Sequence, residues 1–581
     1  KAQLLAIAAE RTGYPEDMLG LDMDLEADLG IDSIKRVEIL AAYRQSQPEA
    51  VSTHLQPHME KVAKAKTLQE VLDRLAEAMS APAPAAPSAV AETARPFEST
   101  GSAPGAALAR YVMRAEAEPL PPDQPTKVAP GLYVAVPDTL GVAAALATLI
   151  ARDGGEVRLV PDGLLTDDAA LAAWLERVRA EGRIRGIVGL AAILPPDDAP
   201  CDVAAWHAGM DTCVKSLFSL LRLAAPDLQQ GGRVLVASAM GGRFGRDSLK
   251  PDRVALFPGA GGGVGLVKTL AMEWERCRCK AVDLDLGESA AALAGHLHAE
   301  LAAAAGRREV GYPGGTRTIF RTTTAPLDRA ACGEFRPDKD WVVVAVGGAR
   351  GITAETLRPF AQAGATCVLV SRAALPGPED AATIPHVDAA ALRRHFLNEA
   401  AAAGTRPTPA KIEARVQTVL REREIRANVA DVSALGGTLY ARTCDVRDEG
   451  QVAALLEGLY AKHGRVDAVL LGAGLIEDRL ITDKTRGSLD RVFDTKVDGA
   501  FFFARHLRQE SLRFLALFAS VAGRYGNRGQ GDYAAANEVL NRLAWQLQAR
   551  YGARTKVVSV NWGAWARTTN GAGMLTPETT R

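Results

Sequence analysis

Aromatic residues are scarce, at 5% of 581 positions, although hydrophobic residues make up 48%. The cores must therefore be built mainly from Ala, Val and Leu. Charge of either sign is not in excess: the formal net charge is −1. That excludes a general nucleic-acid or membrane-binding surface, and neither partner is expected. Cysteine is sparse and odd in number, at seven. The one close pair, Cys277 and Cys279, has a one-residue gap that does not suit a zinc knuckle. A reduced, cytoplasmic setting fits. The nine histidines form no HExxH, so no metal is expected, and His296 and His298 on an amphipathic stretch are expected to face solvent. No apolar run is long enough to span a bilayer. No signal peptide is visible. The chain opens at Lys1 in mid-helix and stops at Thr579-Thr580-Arg581, so it reads as a piece of something longer with a truncated C-terminus.

The length allows three or four domains. Residues 1–80 read as a small all-α bundle. Ala2 to Ala8 starts one helix, Ile34, Val37, Ile39 and Leu40 mark a second, and Leu68, Val71, Leu72 and Leu75 a third. Gly30 breaks the chain before the second, which leaves Asp32 and Ser33 at its N-terminus. On physical grounds alone Ser33 is a capping hydroxyl. The wording around it is more specific. Asp28 to Leu40, Asp-Leu-Gly-Ile-Asp-Ser-Ile-Lys-Arg-Val-Glu-Ile-Leu, resembles the acyl carrier protein signature. It is most similar to the carriers of polyunsaturated fatty acid synthases and iterative polyketide synthases. The resemblance implies 4′-phosphopantetheine on Ser33 and a phosphopantetheinyl transferase as partner. The region with His54, His58 and Lys61 to Lys66 departs from that pattern. Residues 81–107 are rich in Ala, Pro and Ser without apolar period, and read as a semi-extended tether.

Residues 108–335 alternate strand and helix signals. Strand candidates are Gly131–Val136, Glu156–Val160, Gly186–Leu190 and Arg233–Ser238, the pattern of a doubly wound sheet. The first is followed by Pro137-Asp138-Thr139-Leu140-Gly141, not by spaced glycines. A glycine-rich run, Gly259 to Gly265, comes far too late to be a phosphate loop. No tyrosine stands in the helix after it. This half reads as a structural repeat whose chemistry survives only in the next.

Residues 336–581 hold that chemistry. Trp341–Val346 is a buried strand, and Gly347-Gly348-Ala349-Arg350-Gly351-Ile352-Thr353 leads from it into a helix. Gly347 suits a tight turn, and Gly351 lets backbone approach a pyrophosphate at the helix N-terminus. The next strand ends in Ser371-Arg372, where an NAD site would carry an acid. A serine and an arginine there, with Arg350, suit a 2′-phosphate, hence NADPH rather than NADH. Residues 373–435 read as a helical insertion, with Ile412, Val416, Val419 and Leu420 on one face, that packs on the domain or on a partner. Asp445 and Val446 end a further strand and are expected at the adenine. Gly472, Ala473 and Gly474 end another and face the cofactor. Phe514–Ala519 is the next strand and ends on Ser520. Four glycines follow, and a helix runs from Tyr533 to Tyr551. Ser520 is placed to hold a carbonyl oxygen while Tyr533 hands it a proton. Asn537 lies on the same helix face.

This order resembles the short-chain dehydrogenase/reductase family. More narrowly, residues 108–575 are similar to the ketoreductase domains of polyketide and fatty acid synthases. The wider family has lysine four after the tyrosine, where Asn537 stands here. Carrier-linked ketoreductases exchange those positions, so the resemblance implies Lys496, in Asp-Thr-Lys-Val-Asp-Gly, as the lysine that lowers the pKa of Tyr533. Asn537 would anchor a water or Lys496. Thr353 departs from the usual glycine. Ile476-Glu477-Asp478 aligns with a Leu-Asp-Asp marker of reductases that give D-3-hydroxy products; Asp478 is kept, and Tyr525 stands where the opposite class has tryptophan. The expected fold is α/β, two Rossmann-like doubly wound halves preceded by the carrier bundle. The expected activity is NADPH-dependent reduction of a carrier-tethered 3-oxoacyl thioester, with ketosynthase, acyltransferase and dehydratase domains as neighbours. Two rivals stand beside it: a carrier and structural module with a silent reductase, and an ordinary dehydrogenase with a helical appendage.

Overall fold

The computed structural model describes residues 1–80, 110–195, 202–246, 256–325 and 335–565, apart from positions 13, 15, 32, 64 and 305. The expected tether at 81–107 and the chain after 565 lie outside them. The chain divides into two compact units. One comprises residues 1–113, 322–334 and 379–420; the other comprises 114–321, 335–378 and 421–581.

The first unit contains the expected helical bundle. Its main helices are Ala2–Thr12, Ser33–Gln45, Glu49–Leu55 and Leu68–Ser80. Leu4, Leu25, Leu29, Ile39, Leu68 and Val71 meet in its core. Gly30 takes φ +66°, a left-handed turn that suits glycine, three residues before the second helix begins at Ser33. The Asp24 carboxylate accepts the N–H groups of Glu26 and Ala27, which fixes the loop leading there. The departing region around His54 to Lys66 forms two short helical turns, Gln56–His58 and Met59–Val62.

The insertion is helical, as its periodicity suggested: Ala389–Ala402 and Pro409–Ala434. Ile412 and Val416 are buried with Leu392 and Phe396, and Val419 and Leu420 pack beside them. Its partner is the helical bundle of residues 1–80. The Ala410 N–H donates to the Asp28 carbonyl (3.0 Å), in the loop just ahead of Ser33. The Arg393 guanidinium lies 5.9 Å from the centre of the Tyr14 ring and pairs with Glu413 at 2.7 Å.

The second unit holds two sheets. Strands β1 (Tyr111–Ala117), β2 (Gly131–Val136), β3 (Gly155–Leu159), β4 (Ile184–Ala192), β5 (Arg233–Ser238), β6 (Arg278–Leu284), β7 (Glu309–Tyr312) and β8 (Thr318–Thr324) form the first, in the order β3-β2-β4-β5-β6-β7-β8-β1. Strands β9 (Val342–Val346), β10 (Thr366–Ser371), β11 (Thr438–Thr443), β12 (Ala468–Leu471), β13 (Phe514–Ser520) and β14 (Lys556–Trp562) form the second, in the order β11-β10-β9-β12-β13-β14. All pairs in the second sheet are parallel. Its order reverses between β9 and β12, which opens a crevice at their C-terminal ends. The expected doubly wound pattern is present in both halves.

The halves pack through two helices, Gly262–Glu273 and Gly531–Tyr551. A Cβ at Gly265 would strike the backbone of Ala534 and Ala535. The glycine-rich run is thus a close-packing surface and not a phosphate cradle. Behind it lies a buried charge cluster. Lys268 Nζ donates to Glu538 Oε1 (2.7 Å) and to the Gly523 carbonyl (3.1 Å), and pairs with Glu309 (2.9 Å). The two flagged histidines do not face solvent as expected. His298 pairs with Asp153 at 2.7 Å, and His296 stacks on Tyr312 and meets Glu288 at 3.1 Å. Alternation of polar and apolar residues marked their helix as amphipathic, but carboxylates from other elements cover its polar side. Among the described residues no helix is long and apolar enough to cross a membrane.

Candidate functional site

The crevice collects most of the residues singled out from sequence. Its floor is lined by Val346, Val446, Leu471, Ala473, Lys496 and Gly499. Gly347 sits at φ +75° directly after β9 and its N–H donates to the Val370 carbonyl (2.8 Å), so the chain turns at the strand end. Gly351, at φ +54°, starts the helix Gly351–Gln362. Gly348 has no room for a side chain beside Ala345. Thr353, the departure from the usual glycine, is buried against Gly472, where a Cβ would collide with its hydroxyl. The two exchange bulk, so the loop keeps its close approach to β12. Ala349 is buried, and its carbonyl accepts from Asn428 Nδ2 (3.1 Å).

One loop contact was not legible in the sequence. The Glu424 carboxylate, from the insertion, accepts the Gly351 N–H (2.9 Å) and pairs with Arg350 Nε (3.1 Å). A carboxylate stands where the N-terminus of the helix attracts anions. Nothing but its place among charges could have flagged it, because 73 residues separate it from Gly351.

Ser371 and Asp445 close the rim. Ser371 pairs in register with Thr443 on β11, and its Oγ donates to the Ala373 carbonyl (2.6 Å). Asp445 is tied to Arg447, which holds its carboxyl below the usual range, with the Arg372 charge adding to the effect. Ser371, Arg372, Asp445 and Val446 thus come from the ends of two adjacent strands.

The candidate reactive groups stand on three elements. Ser520 ends β13 and caps the short helix Val521–Tyr525, its Oγ accepting from the Ala522 N–H (3.2 Å). Tyr533 and Asn537 lie on the helix Gly531–Tyr551. Lys496, on the helix Arg486–His506, is buried and donates to the Phe518 carbonyl (2.7 Å). Its Nζ lies 5.2 Å from the centre of the Tyr533 ring, and its stem passes against Gly474, where a Cβ would sit 2.9 Å from Cε. Burial pushes the Lys496 amine down to about 8.

Two expectations need correcting. Tyr533 is not lowered: burial pushes its pKa up, Asn537 and Ser520 hydrogen bonds oppose that, and the Asp478 charge adds to it. Lys496 faces the ring and holds a carbonyl, so desolvation governs the phenol. Asn537 does not anchor Lys496. Its Nδ2 donates to the Tyr533 carbonyl one turn back (2.7 Å), and its buried Oδ1 has no hydrogen-bond partner among the described residues. Such an orphaned acceptor is costly unless something else fills it.

Asp478 accepts from Gln530 Nε2 at 3.0 and 3.1 Å, which links its loop to the glycine loop before Tyr533. Ser33 begins its helix in the carrier bundle.

Residues 342–567 match the model of the KR domain, and residues 2–47 match that of the phosphopantetheine attachment site. The chain thus combines a phosphopantetheine attachment site with a KR domain. The carrier–ketoreductase segment is 29% identical, over 99% of its length, to a polyunsaturated fatty acid synthase component of a Thraustochytrium species. It spans only 21% of that relative. Polyketide synthase GfsB of Streptomyces halstedii is 37% identical over 25% of this chain and 2% of its own. Among solved structures, a ketoreductase from the macrolactin assembly line aligns with TM-score 0.58 at 17% identity, covering 78% of this chain and 83% of its own. An A1-type ketoreductase aligns at 0.57 and 23% (81% and 85% covered), and a C2-type one at 0.55 and 22% (79% and 84%). At these identities the structures speak for the fold alone. The matched domains carry their cofactors with them: NADPH for the reductase and 4′-phosphopantetheine for the carrier.

Proposed function

We propose that the segment reduces a 3-oxoacyl thioester, tethered to the arm on Ser33, to the D-3-hydroxyacyl thioester. One observation carries the reading: a buried lysine, a phenol and a serine hydroxyl from three elements converge on the crevice of a Rossmann-type sheet. The residues present fit NADPH. Gly347 and Gly351 have left-handed backbones that open the turn, the Gly472–Thr353 exchange keeps the strands close, and a serine and an arginine at the end of β10, Ser371 and Arg372, suit a 2′-phosphate. Gly347 to Ile352, Asp445, Val446 and Gly472 to Gly474 would hold the rest. NADPH supplies a hydride to carbon 3 of the substrate.

The chain's own groups handle the oxygen. Ser520 Oγ and the Tyr533 hydroxyl donate to the carbonyl, and hold it more strongly as negative charge grows. Burial keeps Tyr533 protonated at neutral pH, so it has a proton to give. The Lys496 ammonium, over the ring face, stabilises the phenolate left behind. Asn537 Oδ1 is an open acceptor beside that phenol for a water that returns the proton. Backbone likeness does not choose the product configuration, since solved structures at 23% and 22% identity speak for the fold alone. Asp478 supports the D product. The phosphopantetheinyl transferase, ketosynthase, acyltransferase and dehydratase are proposed as partners on the same reading.

Replacement of Tyr533 tests it. Tyr533→Phe is expected to lower the reduction rate of a 3-oxoacyl thioester by about 10²- to 10⁴-fold, with NADPH affinity by fluorescence titration unchanged. Reduction at the parent rate would refute the assignment.

A further inference from the structure

The first half was expected to do nothing but support the second. One of its side chains reaches into the loops beside the phenol. Glu273, the last residue of the helix Gly262–Glu273, places its two carboxylate oxygens on two different loops of the catalytic half. Oε2 accepts the Ile481 N–H (2.9 Å) and Oε1 accepts the Gly529 N–H (2.9 Å). One loop carries Asp478; the other connects Ser520 to Tyr533.

The surrounding bonds make this a built junction. The Arg479 N–H donates to the Gly529 carbonyl (3.0 Å), and Gln530 donates to Asp478. Arg528 donates to the Met272 carbonyl (3.3 Å), and the Asn527 N–H to Thr269 Oγ1 (3.4 Å). A Cβ at Gly526 would lie 2.7 Å from the Lys268 carbonyl carbon, so the glycine loop is moulded on that helix. At its other end the Asp478 loop is fixed by Lys484, whose Nζ donates to buried Asp532 (2.7 Å), which in turn accepts the Tyr533 N–H (2.8 Å).

The Asp478 charge is close enough to act on Tyr533. The two loops therefore form one wall beside the phenol, and a ketone held by Ser520 and Tyr533 must enter past it. Which face of the ketone meets the nicotinamide depends on where that wall stands. We propose that Glu273 is a positioning residue that sets the wall and so the configuration of the alcohol. A carboxylate suits the task because its two oxygens accept two amide bonds at once; burial pushes its pKa up to about 7, and the Ile481 and Gly529 bonds oppose that. A glutamine offers one oxygen and must release one loop.

The inference rests on the reductase reading above, and the test separates the two. Glu273→Gln is made in the full chain, with Gln530→Leu, which cuts only the Asp478 link, as second variant. Hydrogen exchange of the segments 478–483 and 526–531 is measured alongside chiral analysis of the alcohol formed from a 3-oxoacyl thioester. In Glu273→Gln, exchange in both segments should rise by about tenfold or more, while the helix Gly531–Tyr551 stays protected. The minor enantiomer should increase by about tenfold and kcat fall more than KM rises. Gln530→Leu should shift the configuration in the same direction by less. Unchanged exchange, or faster exchange with unchanged configuration, overturns the proposal. If the parent reduces no ketone, the reductase reading fails, and the exchange measurement still decides whether Glu273 holds the two loops.

Discussion

Two sheets of similar topology each end a first strand at a helix N-terminus, and they treat it in opposite ways. After β2 the Asp138 carboxylate accepts the N–H groups of Leu140 (2.7 Å), Val142 (3.1 Å) and Ala143 (2.7 Å). The helix end is satisfied by a residue of its own turn, and no phosphate is needed or admitted. After β9 the turn has glycines instead, and the carboxylate that meets it, Glu424, comes from a distant insertion. The same contrast runs through the reactive positions. Ser238, ending β5, donates to buried Asp283 (2.7 Å), whereas Ser520, ending β13, faces Tyr533. The first half reads Asp211-Thr212-Cys213-Val214 where the second reads Asp494-Thr495-Lys496-Val497. At these two positions the first half closes its polar bonds within itself. The second half keeps a buried lysine and a buried Asn537 Oδ1 without a partner among the described residues, which oppose stability and which the proposed reaction would use.

The comparison breaks most visibly at the contact between the halves. Lys268→Met removes one cation from a buried cluster in which Glu309 keeps Arg524 and Arg246 and Glu538 keeps Arg542, so unfolding free energy in urea should fall by about 3 kcal/mol. An effect below 1 kcal/mol, on the order of a surface pair, would mean that the halves are energetically independent. Lys496→Met should do the reverse. A lysine held at about 8 against 10.5 in the open chain costs the fold roughly 3 kcal/mol while both forms are charged. The variant should therefore be more stable at pH 7, by about 1 to 3 kcal/mol once the lost Phe518 bond is counted. The gain should shrink as pH rises from about 8 towards 10.5, because the folded lysine has already lost its proton while the unfolded one has not. In the parent, reduction should decline as pH passes about 8, where the ammonium behind the phenolate is lost. Asp138→Ala should cost about 1 to 2 kcal/mol in denaturant unfolding and leave NADPH affinity unchanged, because that helix end carries no ligand. The smallest effect is expected at the opposite helix end. Glu424→Gln removes a negative charge from the phosphate-binding turn, so NADPH should bind tighter by about two- to fivefold in a fluorescence titration. Weaker binding would make Glu424 a holder of the loop and not a competitor.

The site's local parts were legible in the sequence because each is a short string with its own backbone logic. Gly347 to Gly351 after a buried strand, Ser520 at a strand end and Tyr533 in a first helical turn need no distant partner to be recognised. Lys496 was legible only through resemblance, since 37 positions separate it from the tyrosine. Glu273, Glu424 and Lys268 were not legible at all. Each reads as an ordinary helix charge until a chain segment 73 to 270 positions away is folded against it. The pKa of Tyr533 was misjudged for the same reason: a neighbouring lysine can be guessed from sequence, but desolvation depends on everything packed around the ring.

By itself the chain's order of residues determined the succession of strands and helices, the turn that suits a dinucleotide, and the serine that begins a carrier helix. These follow from periodicity, backbone freedom at glycine and capping, all of which act over a few neighbouring positions. Only the tertiary structure decided that the glycine-rich run is a packing face, that the insertion leans on the carrier bundle, and that a carboxylate from the first half grips two loops of the second. Burial and charge pairing are properties of assembled surfaces, and no local string contains them.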